Sequence, residues 1–190
     1  MSLPLAFRTR LDSIPAGVPY LHAAPENVVA WHSLLGQRNK PRIGLVWGGS
    51  QEHRNDHNRS LPFELFSHVI NDAAEFICLQ QEFRNQDALL VRQHPNLRVF
   101  SKQFKDFADT AALIEALDLV ITVDTSIAHL AGALGKPVWI LLPFAPDFRW
   151  LLERTDSPWY PSARLFRQRH AGQWAPVLAE VQAAIAERFQ

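Results

Sequence analysis

Two stretches of this 190-residue chain hold side chains whose types and spacing suit anion chemistry. The first is Val123-Asp124-Thr125-Ser126-Ile127-Ala128-His129, where an apolar run hands over to a helical pattern. Asp124 stands as an N-cap, its carboxylate taking one orphan amide. The amides of Thr125, Ser126 and Ile127 then point past the sheet edge, and a helix N-terminus with free amides and small hydroxyls is an anion site. His129 follows Thr125 by one helical turn, on the same face. The helix dipole disfavours a charged imidazole there, whereas a bound diphosphate would favour it. The plainer alternative is capping by Asp124 with His129 packed in the core.

The second stretch runs from Gly48 to Ser60. Gly48 and Gly49 allow close backbone approach just after a strand. Arg54 and Arg59 can each fork onto phosphate oxygens. Ser50, Asn55 and Ser60 supply further hydrogen-bonding groups. A solvated surface loop is the competing reading. The glycines are not followed by Gly-Lys-Ser/Thr, so this is no Walker loop. Neither Gly-x-Gly-x-x-Gly nor Gly-x-Ser-x-Gly is present, which argues against a nicotinamide dehydrogenase and an α/β-hydrolase.

Weaker candidates flank these two. Gln80, Gln81 and Glu82 end a strand within reach of a ribose or base. Asp106-Phe107-Ala108-Asp109 forms either a base-binding edge or a helix start capped by Asp109. His53 and His57 have no third ligand in register, so no metal site is expected. Residues 143–152 follow the last expected strand and either face a ligand or cover the sheet. Trp139, Trp150, Trp159 and Trp174 are core residues or sugar-stacking platforms. Cys78, mid-strand, is expected to be inert.

These residues need a scaffold, and the chain supplies an alternating one. Strands are expected at 42–47, 75–79, 97–100, 119–123 and 138–142, all apolar runs of the kind buried on both faces of a parallel sheet. Helices are expected at 26–36, 62–71, 83–93, 109–117, 125–134 and 174–189. Such alternation implies right-handed βαβ units, hence a Rossmann-like, doubly wound parallel α/β sheet. Ligands of such sheets bind beyond the carboxyl ends of the strands, where both stretches fall. Three regions are expected: a connector or strap with a short helix at 1–40, a Rossmann-like domain at 41–172 (which the resemblance given below makes the nucleotide-sugar-binding domain), and an amphipathic helix at 173–190 that packs on this domain or, as that resemblance implies, on a missing lobe. Pro4, Pro15, Pro19 and Pro25 bar long helices from the strap, and its recurring apolar residues suggest that it lies on something.

Composition narrows the partners. With 19 basic and 19 acidic residues there is no positive surplus for nucleic acid or an anionic membrane. No apolar run reaches the roughly 18 residues of a spanning helix. The single cysteine cannot form an internal disulfide, and the N-terminus lacks a secretory signal design. A cytoplasmic protein is expected.

The run Leu117-Asp118-Leu119-Val120-Ile121-Thr122-Val123-Asp124-Thr125-Ser126-Ile127-Ala128-His129, continued through Gly135-Lys136-Pro137-Val138, resembles the donor-site segment of bacterial heptosyltransferase-like glycosyltransferases. The whole chain is similar to the C-terminal region of bacterial tetratricopeptide-repeat proteins with a glycosyltransferase-like domain. The runs Val46-Trp47-Gly48-Gly49-Ser50, Asn55 to Pro62, Asp106 to Ala111 and Asp156 to Pro161 all fit that group. The resemblance implies one lobe of a two-lobed GT-B glycosyltransferase, holding most of a nucleotide diphosphate sugar. It puts Asp124, Thr125, Ser126 and His129 at the diphosphate and Arg59 on the phosphates, where relatives that are protein O-linked N-acetylglucosamine transferases carry a lysine. The implied binding set is Ser50, Asn55, Arg59, Ser60, Gln80, Asp109, Asp124, Thr125, Ser126 and His129. The donor would be ADP- or UDP-linked, with no cofactor and no obligatory metal, since Asp-x-Asp is missing. The family's catalytic base belongs to the other lobe, so none is assigned here. Met1 to Leu5 resembles an interlobe crossing, which fits either a fragment or a native one-lobe product, and the partners the resemblance implies are that missing lobe and the tetratricopeptide repeats of the parent. The alternative is a non-catalytic nucleotide- or sugar-binding, or protein-interaction, module of such a scaffold.

Overall fold

The apolar runs pair side by side in the computed structural model, which describes residues 3–100, 103 and 105–189. Among the described residues the strands are β1 (Arg42–Val46), β2 (Glu75–Cys78), β3 (Leu97–Val99), β4 (Leu119–Val123), β5 (Val138–Leu142) and β6 (Ala163–Arg167). They form one sheet in the order β3-β2-β1-β4-β5-β6, every pair parallel. β1, β4 and β5 are buried at every position, as their unbroken apolar runs required.

β6 was not expected. It is an edge strand carrying Arg164 and Arg167, which interrupt the apolar signal. Its connection from β5 contains a 3₁₀ turn at Phe148–Trp150 instead of a crossover helix, so the alternation lacked its cue. Arg164 lays its guanidinium over the rings of Trp139 and Phe166, at 5.6 and 4.8 Å.

The helices are α1 (Leu3–Ala6), α2 (Pro25–Leu35), α3 (Asp56–Arg59), α4 (Phe63–Phe66), α5 (Asn85–Gln93), α6 (Phe107–Glu115), α7 (Ser126–Ala133) and α8 (Trp174–Arg188). α2 opens on a proline at its first turn and stops at Gly36, whose φ of 73° a side chain resists. The helix expected over 62–71 is instead α4 followed by a 3₁₀ turn at Ser67–Val69, with Pro62 as the N-cap. The buried residues Phe63, Phe66 and Val69 are three apart, the period of a 3₁₀ helix. α6 begins earlier than expected because Asp106, not Asp109, is its N-cap: the Asp106 carboxylate accepts from the amides of Ala108 and Asp109 at 2.8 and 3.0 Å.

Helices cover both faces. Val46, Val120, Val138, Ile140 and Leu142 point to one side and pack with α2, α6 and α7. Ile43, Leu45, Leu119, Ile121, Val123, Trp139 and Leu141 point to the other and pack with α4, α5 and α8. The apolar face of α8, formed by Val177, Leu178, Val181, Ala184 and Ile185, is buried on this domain itself. Each large side chain there contributes roughly 1.5–3 kcal/mol by leaving water.

The N-terminal strap behaves in two ways. At its distal part, Val18 and Ala23 pack on the core, and the amides of Tyr20 and Leu21 donate to the Ala133 carbonyl at 3.0 and 3.3 Å. Nearer the start, Leu3, Leu5 and Phe7 are 72–78% exposed. Met1 and Ser2 of the expected crossing lie outside the described residues.

Candidate functional site

β1 has β2 on one side and β4 on the other, so the chain reverses its winding direction between β1 and β4. Open α/β sheets split at their carboxyl edge at such a point and admit ligands. The loop after β1 and the N-terminus of α7 meet there.

Thr125, not Asp124, is the N-cap of α7. It has extended backbone, and its Oγ1 accepts from the Ile127 amide at 3.3 Å. Its own proton goes to Thr122 Oγ1, 3.1 Å away, because the Thr122 hydroxyl already donates to the Val123 carbonyl at 2.8 Å. A hydroxyl satisfies this buried donor–acceptor chain; a carboxylate, acceptor only, does not. The Ile127 amide is thereby spent, which corrects the expectation of three free amides. Those of Thr125 and Ser126 donate to no other described residue. Asp124 turns its half-buried carboxylate into the cleft.

The β1 loop is wired from beneath. Gln80 Oε1 accepts from the amides of Trp47 and Gly48 at 3.2 and 3.1 Å, and its Nε2 donates to the Glu82 carbonyl at 3.0 Å. Ser60 Oγ accepts from the Gly49 amide at 2.9 Å and donates to Asp56 Oδ1 at 2.7 Å. Buried Asp56 also pairs with Arg59, 3.3 Å away, and with Arg84. Arg59 Nη1 donates to the Asp124 carbonyl at 2.8 Å, tying the β1 loop to the α7 turn. Its Nη2 is left without a partner among the described residues and lies against Gly49, where a Cβ would collide with the guanidinium. Gln80 and Ser60 therefore fasten the loop, while Arg59 keeps a donor to spare.

Two cavities open here. The larger, about 390 Å³, is lined by Gly48, Gly49, Ser50, Gln81, Glu82 and Phe107 together with Arg59, Gln80, Thr125 and Ser126. The other, about 360 Å³, is lined by His53, Asn55, Asp124, His129, Asp147 and Arg149, again with Arg59, Thr125 and Ser126. Arg59, Thr125 and Ser126 thus stand where the cavities adjoin. Of the expected set, eight residues line one cavity or the other. Ser60 and Asp109 line neither: Ser60 serves the loop from beneath, and the Asp109 carboxylate accepts from the Lys105 amide at 3.0 Å.

His129 is held on three sides. Its Nδ1 is 3.1 Å from the Tyr160 hydroxyl, and its ring stacks on Trp150 at 5.2 Å and 16°. Gly132, one turn on, has no Cβ where the Tyr160 ring packs. Burial, helped by the Arg149 charge, lowers the affinity of His129 for a proton against the opposing carboxylates of Asp124 and Asp147. Tyr160 is pushed up by burial and by its hydrogen bond with Tyr20, so it stays protonated. Burial pushes the Cys78 thiol up to about 12, leaving no thiolate for chemistry. Among the described residues no group of three His, Cys, Asp or Glu is placed to hold a metal.

Arg149 and Tyr160 were missed as site residues. Arg149 is fixed by Asp147, whose carboxylate accepts from the Arg149 amide at 3.0 Å and from its Nη1 at 2.6 Å. The available signal was an Asp-x-Arg turn just beyond the carboxyl end of a buried strand. For Tyr160 no local signal exists, because its contact with His129 spans 31 residues of chain.

Comparison with known proteins finds relatives among glycosyltransferases for part of this chain. Residues 100–146, the stretch holding β4, α7 and β5, match the model of glycosyltransferase family 9 (heptosyltransferase). Over 189 residues the chain is 26% identical to Protein FlbA of Caulobacter vibrioides, covering 96% of this chain and 31% of that protein. Over 85 residues it is 35% identical to a putative lipopolysaccharide heptosyltransferase 4 of Escherichia coli, covering 45% of this chain and 20% of that protein. The chain thus spans a third or less of the curated relatives it matches. Among solved structures it resembles a family 9 glycosyl transferase of Veillonella parvula (TM-score 0.60, 18% identity, 83% of this chain and 44% of that one). It also resembles the E. coli ADP-heptose lipopolysaccharide heptosyltransferase II (TM-score 0.58, 18% identity, 93% of this chain and 56% of that one). One segment of this chain, residues 100–146, is thus similar to glycosyltransferase family 9 (heptosyltransferase), and its Rossmann-like parallel sheet has the GT-B-type fold of structures from that family.

Proposed function

We propose that this domain is the donor-binding half of a glycosyltransferase and holds a nucleotide diphosphate sugar, ADP- or UDP-linked, across the cleft between β1 and β4. The observation that carries this reading is the meeting of Arg59, with a free Nη2, and the N-terminus of α7, with unspent amides, at the junction of two cavities. The diphosphate lies at that junction. The nucleoside fills the larger cavity, under Phe107 and beside Gln81 and Glu82. The sugar lies toward Asp124, His129 and Arg149.

Transfer requires a leaving nucleoside diphosphate to gain charge while the anomeric carbon becomes cationic. Arg59, Arg149 and the helix-terminal amides are fixed positive groups aimed where that charge grows, so an obligatory metal is not required. The catalytic base and the acceptor site belong to a second lobe of a longer protein, one that also carries tetratricopeptide repeats. The exposed side chains of Leu3, Leu5 and Phe7 suit contact with that lobe. The chain alone binds nucleotide and transfers sugar only feebly.

The test is a titration of the chain with ADP, UDP, GDP and dTDP, with and without magnesium, read by calorimetry. One diphosphate should bind without metal, and Arg59→Ala should weaken it roughly tenfold to hundredfold, the worth of a charge-assisted contact. If no diphosphate binds even at millimolar concentration, the reading fails, and a protein-interaction module that kept the fold takes its place.

A further inference from the structure

Beneath the β1 loop lies a buried acid that touches neither cavity. Asp56 opens α3 and is 5% exposed. Its two carboxylate oxygens take three donors. Oδ1 accepts from Ser60 Oγ at 2.7 Å and from Arg59 Nε at 3.3 Å. Oδ2 accepts from the guanidinium of Arg84, the N-cap residue of α5. Asp56 and Arg84 line neither the larger cavity nor its neighbour, whereas Arg59 lines both.

We propose that Asp56 is the positioning residue of the anion site: braced from behind by Arg84, it fixes the Arg59 guanidinium and the Gly49 backbone where they border the larger cavity.

A guanidinium is a rigid plane, so two anchors set its direction. Asp56 holds Nε, and the Asp124 carbonyl holds Nη1 at 2.8 Å. Nη2 is thereby aimed, lying against Gly49 with its donors unspent among the described residues. Gly49 is set by the same carboxylate. Its amide donates to Ser60 Oγ at 2.9 Å, so the Ser60 proton must go elsewhere, and Asp56 Oδ1 receives it. One oxygen thus fixes both the cation and the backbone beside it.

Arg84 explains why the acid does not cancel the charge it positions. Paired with Arg59 alone, Asp56 would neutralise it. Arg84 shares the carboxylate from the other side, so the cluster holds two cations to one anion and keeps a positive charge at the cleft. The effect of this positioning on phosphate binding rests on the nucleotide reading above; the positioning itself does not.

A double-mutant cycle on the whole chain tests this, with ADP and UDP affinities read by calorimetry. An amide has one acceptor oxygen and cannot face Ser60 and Arg84 at once, so Asp56→Asn should release Arg59. The nucleotide that binds should then bind roughly tenfold more weakly, and no more weakly than in Arg59→Ala. In the Arg59→Ala background the same change should add less than about twofold, because Asp56 acts through Arg59. The Arg84 side chain is 32% exposed, so Arg84→Gln should fold normally, and it should weaken binding about threefold without touching either cavity. Nitrogen-resolved NMR of the arginine side chains adds a readout that needs no nucleotide. The Arg59 Nε–H should give a resolved, slowly exchanging signal, absent in Arg59→Ala and lost in Asp56→Asn. Affinity unmoved by both Asp56→Asn and Arg84→Gln overturns the proposal. So does a loss equally large with and without Arg59, which marks a general loosening of the fold. Should Asp56→Asn not fold, Arg84→Gln and its own cycle with Arg59→Ala decide the matter. If neither nucleotide binds the natural protein, the donor reading fails, and the Arg59 signal alone decides this one: lost in Asp56→Asn it upholds the positioning, unmoved it overturns it.

Discussion

The two ends of the sheet spend their charges in opposite ways. At the amino end, Arg42 is 1% exposed, and its guanidinium donates to Glu75 at 2.7 Å and to the Gly36 carbonyl at 2.8 Å. Its amide donates to Asp118, which also takes Arg38, and Arg98 pairs with Glu75. Carbonyls at the carboxyl end of α2 take further donors of Arg42 and Arg98. At the carboxyl end, Arg59 keeps an idle Nη2, two amides of the α7 turn are unspent, and the Asp124 carboxylate has no hydrogen-bond partner among the described residues. Charges that saturate one another hold a fold together. Charges with donors to spare, bordering a cavity, are available to a ligand.

The sharpest way to break this contrast is to remove one partner at the saturated end. Glu75→Gln leaves Arg42 buried with a neutral neighbour. Breaking a buried pair costs about 3 kcal/mol, the low end being apt because Glu75 remains partly solvated. Denaturant unfolding should show that loss, while nucleotide affinity stays unchanged. A pH profile sharpens the point. Burial alone would raise the Glu75 carboxyl, but hydrogen bonds and charge from Arg42 and Arg98 outweigh it and hold it below its ordinary 4.5. A depressed carboxyl contributes stability above its unfolded value and loses it as pH falls through the folded one. The natural protein should therefore weaken below pH 4.5, and Glu75→Gln should flatten that part of the curve. An unchanged acid limb would show that the pair is energetically idle.

A smaller effect tests the reassigned cap. Thr125→Ala removes the hydroxyl that accepts from Ile127 and should cost about 1 kcal/mol of stability. Asp124→Ala, removing a carboxylate that caps nothing, should stay within about 0.5 kcal/mol. Equal losses would restore Asp124 as the cap.

The same contrast explains what could be read from the sequence. Five of the six strands were legible as short runs rich in apolar residues within an alternating pattern, although β3 carries Arg98, and so was the place of the cleft, because both follow from local pattern. β6 escaped because an edge strand may carry arginines and still be paired on one side. The cap at Thr125 escaped because it depends on Thr122, a buried strand residue whose own proton is spent behind it. Arg59 was legible as a cation beside glycines. That Gln80 and Ser60 serve the loop backbone was not, since the amides that donate to them lie up to 33 residues away along the chain. Arg149 reaches the cleft, and Tyr160 reaches His129, from the β5–β6 connection, where no helix or strand pattern set a register.

The smallest effect is a proton. His129 is held below its ordinary 6.5 by burial, with Arg149 adding to it and Asp124 and Asp147 opposing. A histidine so depressed adds stability above its unfolded value and loses it as pH falls through the folded one, since the unfolded chain then binds more protons. A diphosphate in the cleft reverses the balance, because two negative groups beside the ring favour the imidazolium. Binding near pH 6.5 should therefore take up a fraction of a proton. Calorimetry in buffers of different ionisation enthalpy should show it, and His129→Gln should abolish it. The uptake should be of nucleotide diphosphates alone, because a nucleoside without phosphates brings no charge to the α7 turn. Uptake that survives in His129→Gln would show that the linkage does not run through His129. No uptake at all would place the phosphates away from His129, and the contrast between the two ends of the sheet would then rest on Arg59 and the free amides.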